Sequence, residues 1–261
     1  MPLACLPGRE RRTQIAKKPV DGYYTPRKSK LLKDFDRTAG LVKDRIVSSL
    51  GADFADRIYR EAREEYEALI PQIPHVKGVR GGALNSFLRI TAQELALYRA
   101  MKKHGKTAGE AWEICHQALT SRMEKYPKIK RWLLRRIMFS FLLKKRMRKI
   151  AAKGRHIRFG DFEIRYVFGD GDFDLGVDYV ACGNYRFVRD QGAEEFAPYV
   201  CMSDIALSDA MGWGLIRTET LADGCLRCDF RFKRGGRTRV SSKTPEVQAT
   251  IERIENKQPE T

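Results

Sequence analysis

Long apolar runs are missing from this chain. The best stretch, IMFSFLL at 137–143, falls far short of the roughly 18 residues that a membrane span needs. The opening residues, MPLACLPGRERR, lack the apolar core of a secretory signal. Together these absences predict a cytoplasmic protein. Histidine is scarce: His75, His104, His116 and His156 are all upstream of the region where the cysteines gather. Six cysteines (Cys5, Cys115, Cys182, Cys201, Cys225 and Cys228) in 261 residues do not make the dense framework of a small disulfide-stapled domain. No zinc-finger spacing and no interleaving of aromatics with basic residues marks a nucleic-acid module, so no nucleic-acid partner is expected. There is no internal repeat.

What is present suffices for a core, since 43% of the residues are apolar, enough for one large domain or two small ones. The net charge of +17 is unevenly spread. Residues 1–50 carry twelve basic side chains against five acidic, and 101–150 carry fifteen against three. The cysteine-bearing region is near neutral. Residues 1–35, with four prolines and little apolar periodicity, read as a basic, mobile and dispensable arm. Residues 36–240 read as one α+β domain, and 241–261 as a polar tail holding one helical candidate, PEVQATIERIE.

From about residue 39, apolar positions at Leu41, Ile46, Phe54, Ile58 and Tyr59 follow a helical period that continues through EAREEYEAL and ends at Pro71 and Pro74. Gly81 and Gly82 lie in a loop where backbone freedom is expected. A second helix is predicted over 84–103. Thr107, with Glu110 at the capping-box position, starts a third. After Pro127 a fourth runs as one helix to about 150, with Leu133, Ile137 and Phe141 beside Leu134 and Met138 on an apolar face and arginines and lysines opposite. Beyond Gly154 the period changes to that of strands, which enclose a helix over EEFAPYVCMSDIALSDAMG. Helices first and strands after define an α+β fold, an antiparallel sheet packed by helices on one face.

Four cysteines fall between 182 and 228, which suggests thiol chemistry, metal binding or small buried side chains. Cys201 and Asp204 share a helix face. In RTETLADGCLRCDFRF, residues 217–232, alternation puts Cys228, Phe230 and Phe232 on one strand face. An arginine buried with them, Arg217, needs an anionic partner from the protein or a ligand. Cys225 and Cys228 have the spacing of half a zinc site, so zinc or another divalent metal stays open, though no second CxxC completes it. Cys225 itself, after Gly224, has no geometric reason to reach the interior. The basic helix at 128–150, with Trp132, has the composition of an interfacial helix. Its apolar face either packs on its own domain, burying Phe141, or makes weak contact with a membrane surface. The sequence sets no oligomeric state.

Three stretches together resemble the bacterial L-2-amino-thiazoline-4-carboxylic acid hydrolase family: GGALNSFLRITAQELALYRAMKKHG at 81–105, VDYVACGNYRFVRDQGAEEFAPYVCMSDIALSDAMG at 177–212 and GLIRTETLADGCLRCDFRFKRGG at 214–236. The likeness spans roughly residues 40–236. The hairpin is also similar, more distantly, to that of vinyl-reductase-type ligand-sensing domains, some of which hold zinc on hairpin cysteines. Here Thr220 stands where such a ligand would be. The family resemblance implies hydrolysis of a C–N bond in a small cyclic amidine carrying a carboxylate. It implies catalytic roles for Cys182, Cys201, Asp204 and Cys228, with Asn85, Arg217 and Thr220 contacting the substrate. Asp204 suits the amidine and Arg217 the carboxylate, while the attacking group is water or a thiolate. The competing expectation is a non-catalytic domain that binds a small molecule or metal.

Overall fold

The structure, a computed structural model, describes residues 22–78, 81–169 and 171–255. The first three helices are α1 (Lys28–Gly40), α2 (Lys43–Leu50) and α3 (Ala52–Leu69). The single helix expected from about 39 is thus broken, most sharply at Gly51, whose φ of 81° is open to glycine and costly for other residues. Next come α4 (Gly81–Lys103) and α5 (Ala108–Glu124). As expected, Thr107 and Glu110 form a reciprocal capping box at the start of α5.

The predicted fourth helix is two, α6 (Lys128–Met138) and α7 (Phe141–Ala151). Ser140 divides them. Its backbone is extended and its hydroxyl accepts the Leu143 N–H at 3.3 Å, so it caps α7 instead of continuing α6. Phe139, just before the break, is buried. Phe141, which packing of that face on the domain would bury, is 70% exposed.

The sheet holds β1 (Ile157–Phe159), β2 (Phe162–Val167), β3 (Leu175–Ala181), β4 (Leu215–Arg217), β5 (Cys228–Phe232) and β6 (Arg239–Val240), in the order β1-β2-β3-β5-β4-β6. All neighbours are antiparallel except β4 and β6. The expected hairpin is formed by β4 and β5, with Leu215 opposite Phe232. Between strands run α8 (Gly183–Asp190) and α9 (Ala197–Met211), and α10 (Pro245–Glu255) follows the sheet. The fold is α+β, as the element order predicts.

Two expected boundaries are corrected. Tyr24, Leu31, Leu32 and Phe35 belong to the main core; the last three form an apolar stripe of α1, which packs against α3 and α5. Residues 22–35 are therefore part of the body, and the arm expected for 1–21 falls outside the described residues. The tail is likewise docked up to Glu255: Val247 and Ile251 of α10 are fully buried, and the helix packs against α5 and α9.

Candidate active site

Side chains from the inner face of the sheet, from α4, α8 and α9, and from the α6–α7 hairpin enclose a cavity of about 450 Å³. Strand alternation supplies the sheet wall. Leu175, Val177 and Tyr179 of β3 and Cys228, Phe230 and Phe232 of β5 all line it. Asp178 and Arg231 point the other way, where the fully buried Asp178 carboxylate pairs with Arg231 at 2.8 Å and Arg165 at 2.7 Å.

One end of the cavity is polar. Arg217, last residue of β4 and only 2% exposed, donates from Nη1 to Asp204 Oδ2 at 2.5 Å and to the Cys201 carbonyl at 2.7 Å. The anion that a buried arginine requires is thus a protein carboxylate. Arg217 Nε is buried with no hydrogen-bond partner, which leaves one N–H of a fixed cation for a ligand. Asp204 is 30% exposed, and because it lines the cavity a ligand can reach it. Burial pushes the Asp204 carboxyl up to about 6, although the Arg217 charge and hydrogen bond pull it down.

A second carboxyl shares the cavity. Glu94 of α4 accepts a 2.7 Å hydrogen bond from the Ser203 hydroxyl, and its Oε2 is buried without a partner. Burial pushes it up to about 8; the Ser203 bond opposes this and the nearby Asp204 charge adds to it. Between those two values Asp204 is a carboxylate and Glu94 a neutral acid. Glu94 belongs to no motif or spacing in the sequence, yet the sequence carries a signal for it. It is the one charged residue in the run ITAQELALY on a helix buried over much of its surface.

Cys182, Cys201 and Cys228 all line this cavity and are free thiols. Burial is the main effect on each and raises its pKa, so all three are held as neutral thiols. For Cys182 the amides of Asn184 and Tyr185, in the first turn of α8, work against burial. The Leu221 N–H points at the Cys228 sulfur at 3.2 Å. Among the described residues no group of three or more His, Cys, Asp or Glu side chains is placed to hold a metal ion. The half-site spacing of Cys225 and Cys228 is therefore not completed to a metal site by the described residues.

Five of the seven expected site residues thus converge: Cys182, Cys201, Asp204, Arg217 and Cys228. Two do not. Thr220 is turned into its own loop, where its hydroxyl donates to Asp223 Oδ2 at 2.9 Å and accepts the Asp223 N–H at 3.0 Å. Asn85 clamps the preceding loop through 2.8 Å bonds to both the N–H and the carbonyl of Val76. Gly81 matters for the same clamp. Its φ is ordinary, but a Cβ there would lie 2.2 Å from the Val76 oxygen. Cys225 is also corrected. It is only 5% exposed, because Gly224, at φ 77°, folds the chain back so that the Cys225 N–H meets the Thr220 carbonyl at 3.1 Å.

Lined mostly by apolar side chains, with the Arg217–Asp204 ion pair and the Glu94 carboxyl among them, the cavity has the general make-up of sites that take small molecules. The chain belongs to the L-2-amino-thiazoline-4-carboxylic acid hydrolase family, whose model matches residues 86–232. That span starts inside α4, later than the resemblance in the sequence suggests. It contains Glu94 and all five converging residues. No curated protein matches the chain, and no solved structure does. No helix among the described residues is long and apolar enough to cross a membrane.

Proposed function

We propose that the protein hydrolyses a C–N bond of a small cyclic amidine bearing a carboxylate, with L-2-amino-thiazoline-4-carboxylate as the type substrate. The observation that carries this reading is the pair of carboxyls of divergent acidity, Asp204 and Glu94, in one cavity with Arg217. Two titratable groups pushed apart by their surroundings divide the work of base and acid. The unpartnered Nε of Arg217 receives the substrate carboxylate. Asp204 faces the cationic amidine and takes a proton from water as the water oxygen bonds to the amidine carbon. The ring C–N bond then breaks as the added hydroxyl becomes a carbonyl; Glu94 gives its proton to the departing nitrogen, which also takes up the hydroxyl proton and leaves as an ammonium. Proton transfer from Asp204 to Glu94, the stronger proton holder, restores both groups.

Water is preferred to a thiolate as the nucleophile because burial keeps the three cysteines protonated. The assay is ring opening of L-2-amino-thiazoline-4-carboxylate by the purified protein, followed by mass spectrometry. We expect turnover in the wild type and a loss of roughly 100-fold or more in Asp204→Asn. Absence of turnover, or an unaffected Asp204→Asn, contradicts the reading.

A second reading, a non-catalytic binding domain, draws support from the apolar extent of the cavity. Its walls include Phe87, Trp213, Phe230 and Phe232. Saturable binding of the same compound without product formation would favour it.

A further inference from the structure

The α6–α7 hairpin carries a surface that the catalytic reading leaves unused. Ile129, Trp132, Leu133, Leu134, Ile137, Phe141 and Leu142 are all exposed, from 40% at Leu134 to 78% at Leu142. They account for seven of the ten large hydrophobic side chains exposed among the described residues. An apolar surface so concentrated marks an interaction site.

The charge around it is of one sign. Residues 128–150 contain ten lysines and arginines and no acidic residue. Lys144 pairs with Asp174 at 3.3 Å, while Arg136 and Lys145 lie over the exposed rings of Trp132 and Phe141. Lys145, Arg146, Arg148 and Lys149 are exposed.

We infer that this hairpin seats the protein on an anionic lipid bilayer surface. The combination selects that occupant. Exposed Trp, Phe, Leu and Ile flanked by lysines and arginines match the boundary between acyl chains and anionic headgroups. A second copy of this chain would bring ten more cations against these ten, a repulsive pairing. Buried Phe139 and the packing of α6 on α9 and of α7 on β2 hold the hairpin to the body. Its inner side contributes Met138 and Met147 to the cavity wall, so a surface seated on its outer side lies close to the site. The inference stands whether or not the cavity is catalytic.

Sedimentation of the full chain with phosphatidylcholine vesicles, and with vesicles also containing phosphatidylglycerol, tests this. Binding should need the anionic lipid and weaken as salt is added. Combined Leu133→Ser, Ile137→Ser and Phe141→Ser should lower affinity by more than about tenfold while the melting temperature stays near that of the wild type. Combined Lys145→Glu, Arg146→Glu and Lys149→Glu should also abolish the preference for anionic vesicles. Failure to bind anionic vesicles at low salt overturns the inference, as does equal binding by the serine variant. A wild-type dimer that the serine variant dissolves would also overturn it, by assigning the face to a second copy.

Discussion

Arg217 organises the polar end of the cavity. Its guanidinium is fixed by Asp204 and the Cys201 carbonyl, and this fixing costs a ligand nothing at the moment of binding. The three thiols around it are walls in this account. Cys182→Ser, Cys201→Ser and Cys228→Ser should each keep turnover of the cyclic amidine within about tenfold of the wild type, since neutral thiols contribute shape more than charge. Mass spectrometry of the protein during turnover is the check. A covalent substrate adduct that disappears in one serine variant would make that cysteine the nucleophile. Of this site the sequence disclosed the strand-face residues and the Cys201–Asp204 helix face, because those follow from fixed periods of two and 3.6. It did not disclose that Asp204 and Arg217 neutralise each other, since that pairing depends on β4 ending beside α9. Nor did it disclose Glu94, whose raised pKa comes mainly from burial.

At the level of elements, the contrast between Phe139 and Phe141 separates helix packing from surface display. Phe139→Ala should destabilise the protein by about 3 kcal/mol, whereas Phe141→Ala should leave stability within about 0.5 kcal/mol, both read by urea unfolding. Equal losses would mean that the outer face of the hairpin is packed. Long periodic helices such as α4 and α5 were legible in the sequence because caps and apolar spacing agreed at the Thr107 capping box. The division at Ser140 was not, because SFLLKKRMRK continues the helical period and only the N-capping tendency of a single serine opposes it. Parallel β6 was also hidden. Its two residues carry no alternation to detect, and its pairing with β4 is set by the return of the chain from Gly235–Gly236.

Across the whole molecule, the helical half and the sheet share one core that runs from Tyr24 to Ile251. A chain beginning at Asp36 would lose Tyr24, Leu31, Leu32 and Phe35, and we expect a stability loss of more than about 5 kcal/mol from that burial alone. Unchanged urea unfolding of such a chain would contradict the docking of α1. Proline-rich, basic composition concealed this docking, because three buried side chains within one short helix leave no long periodic signal. The central claim is that Asp204 and Glu94 act in one cavity as base and acid. It is tested most directly by the pH dependence of kcat/KM for L-2-amino-thiazoline-4-carboxylate in the wild type and in Glu94→Gln. Activity should fall below pH about 6 as Asp204 gains a proton, and above about 8 as Glu94 loses one. Glu94→Gln should lower the rate and remove the alkaline limb while keeping the acid limb. A wild-type profile flat across this range, or an alkaline limb that persists in Glu94→Gln, would contradict the account.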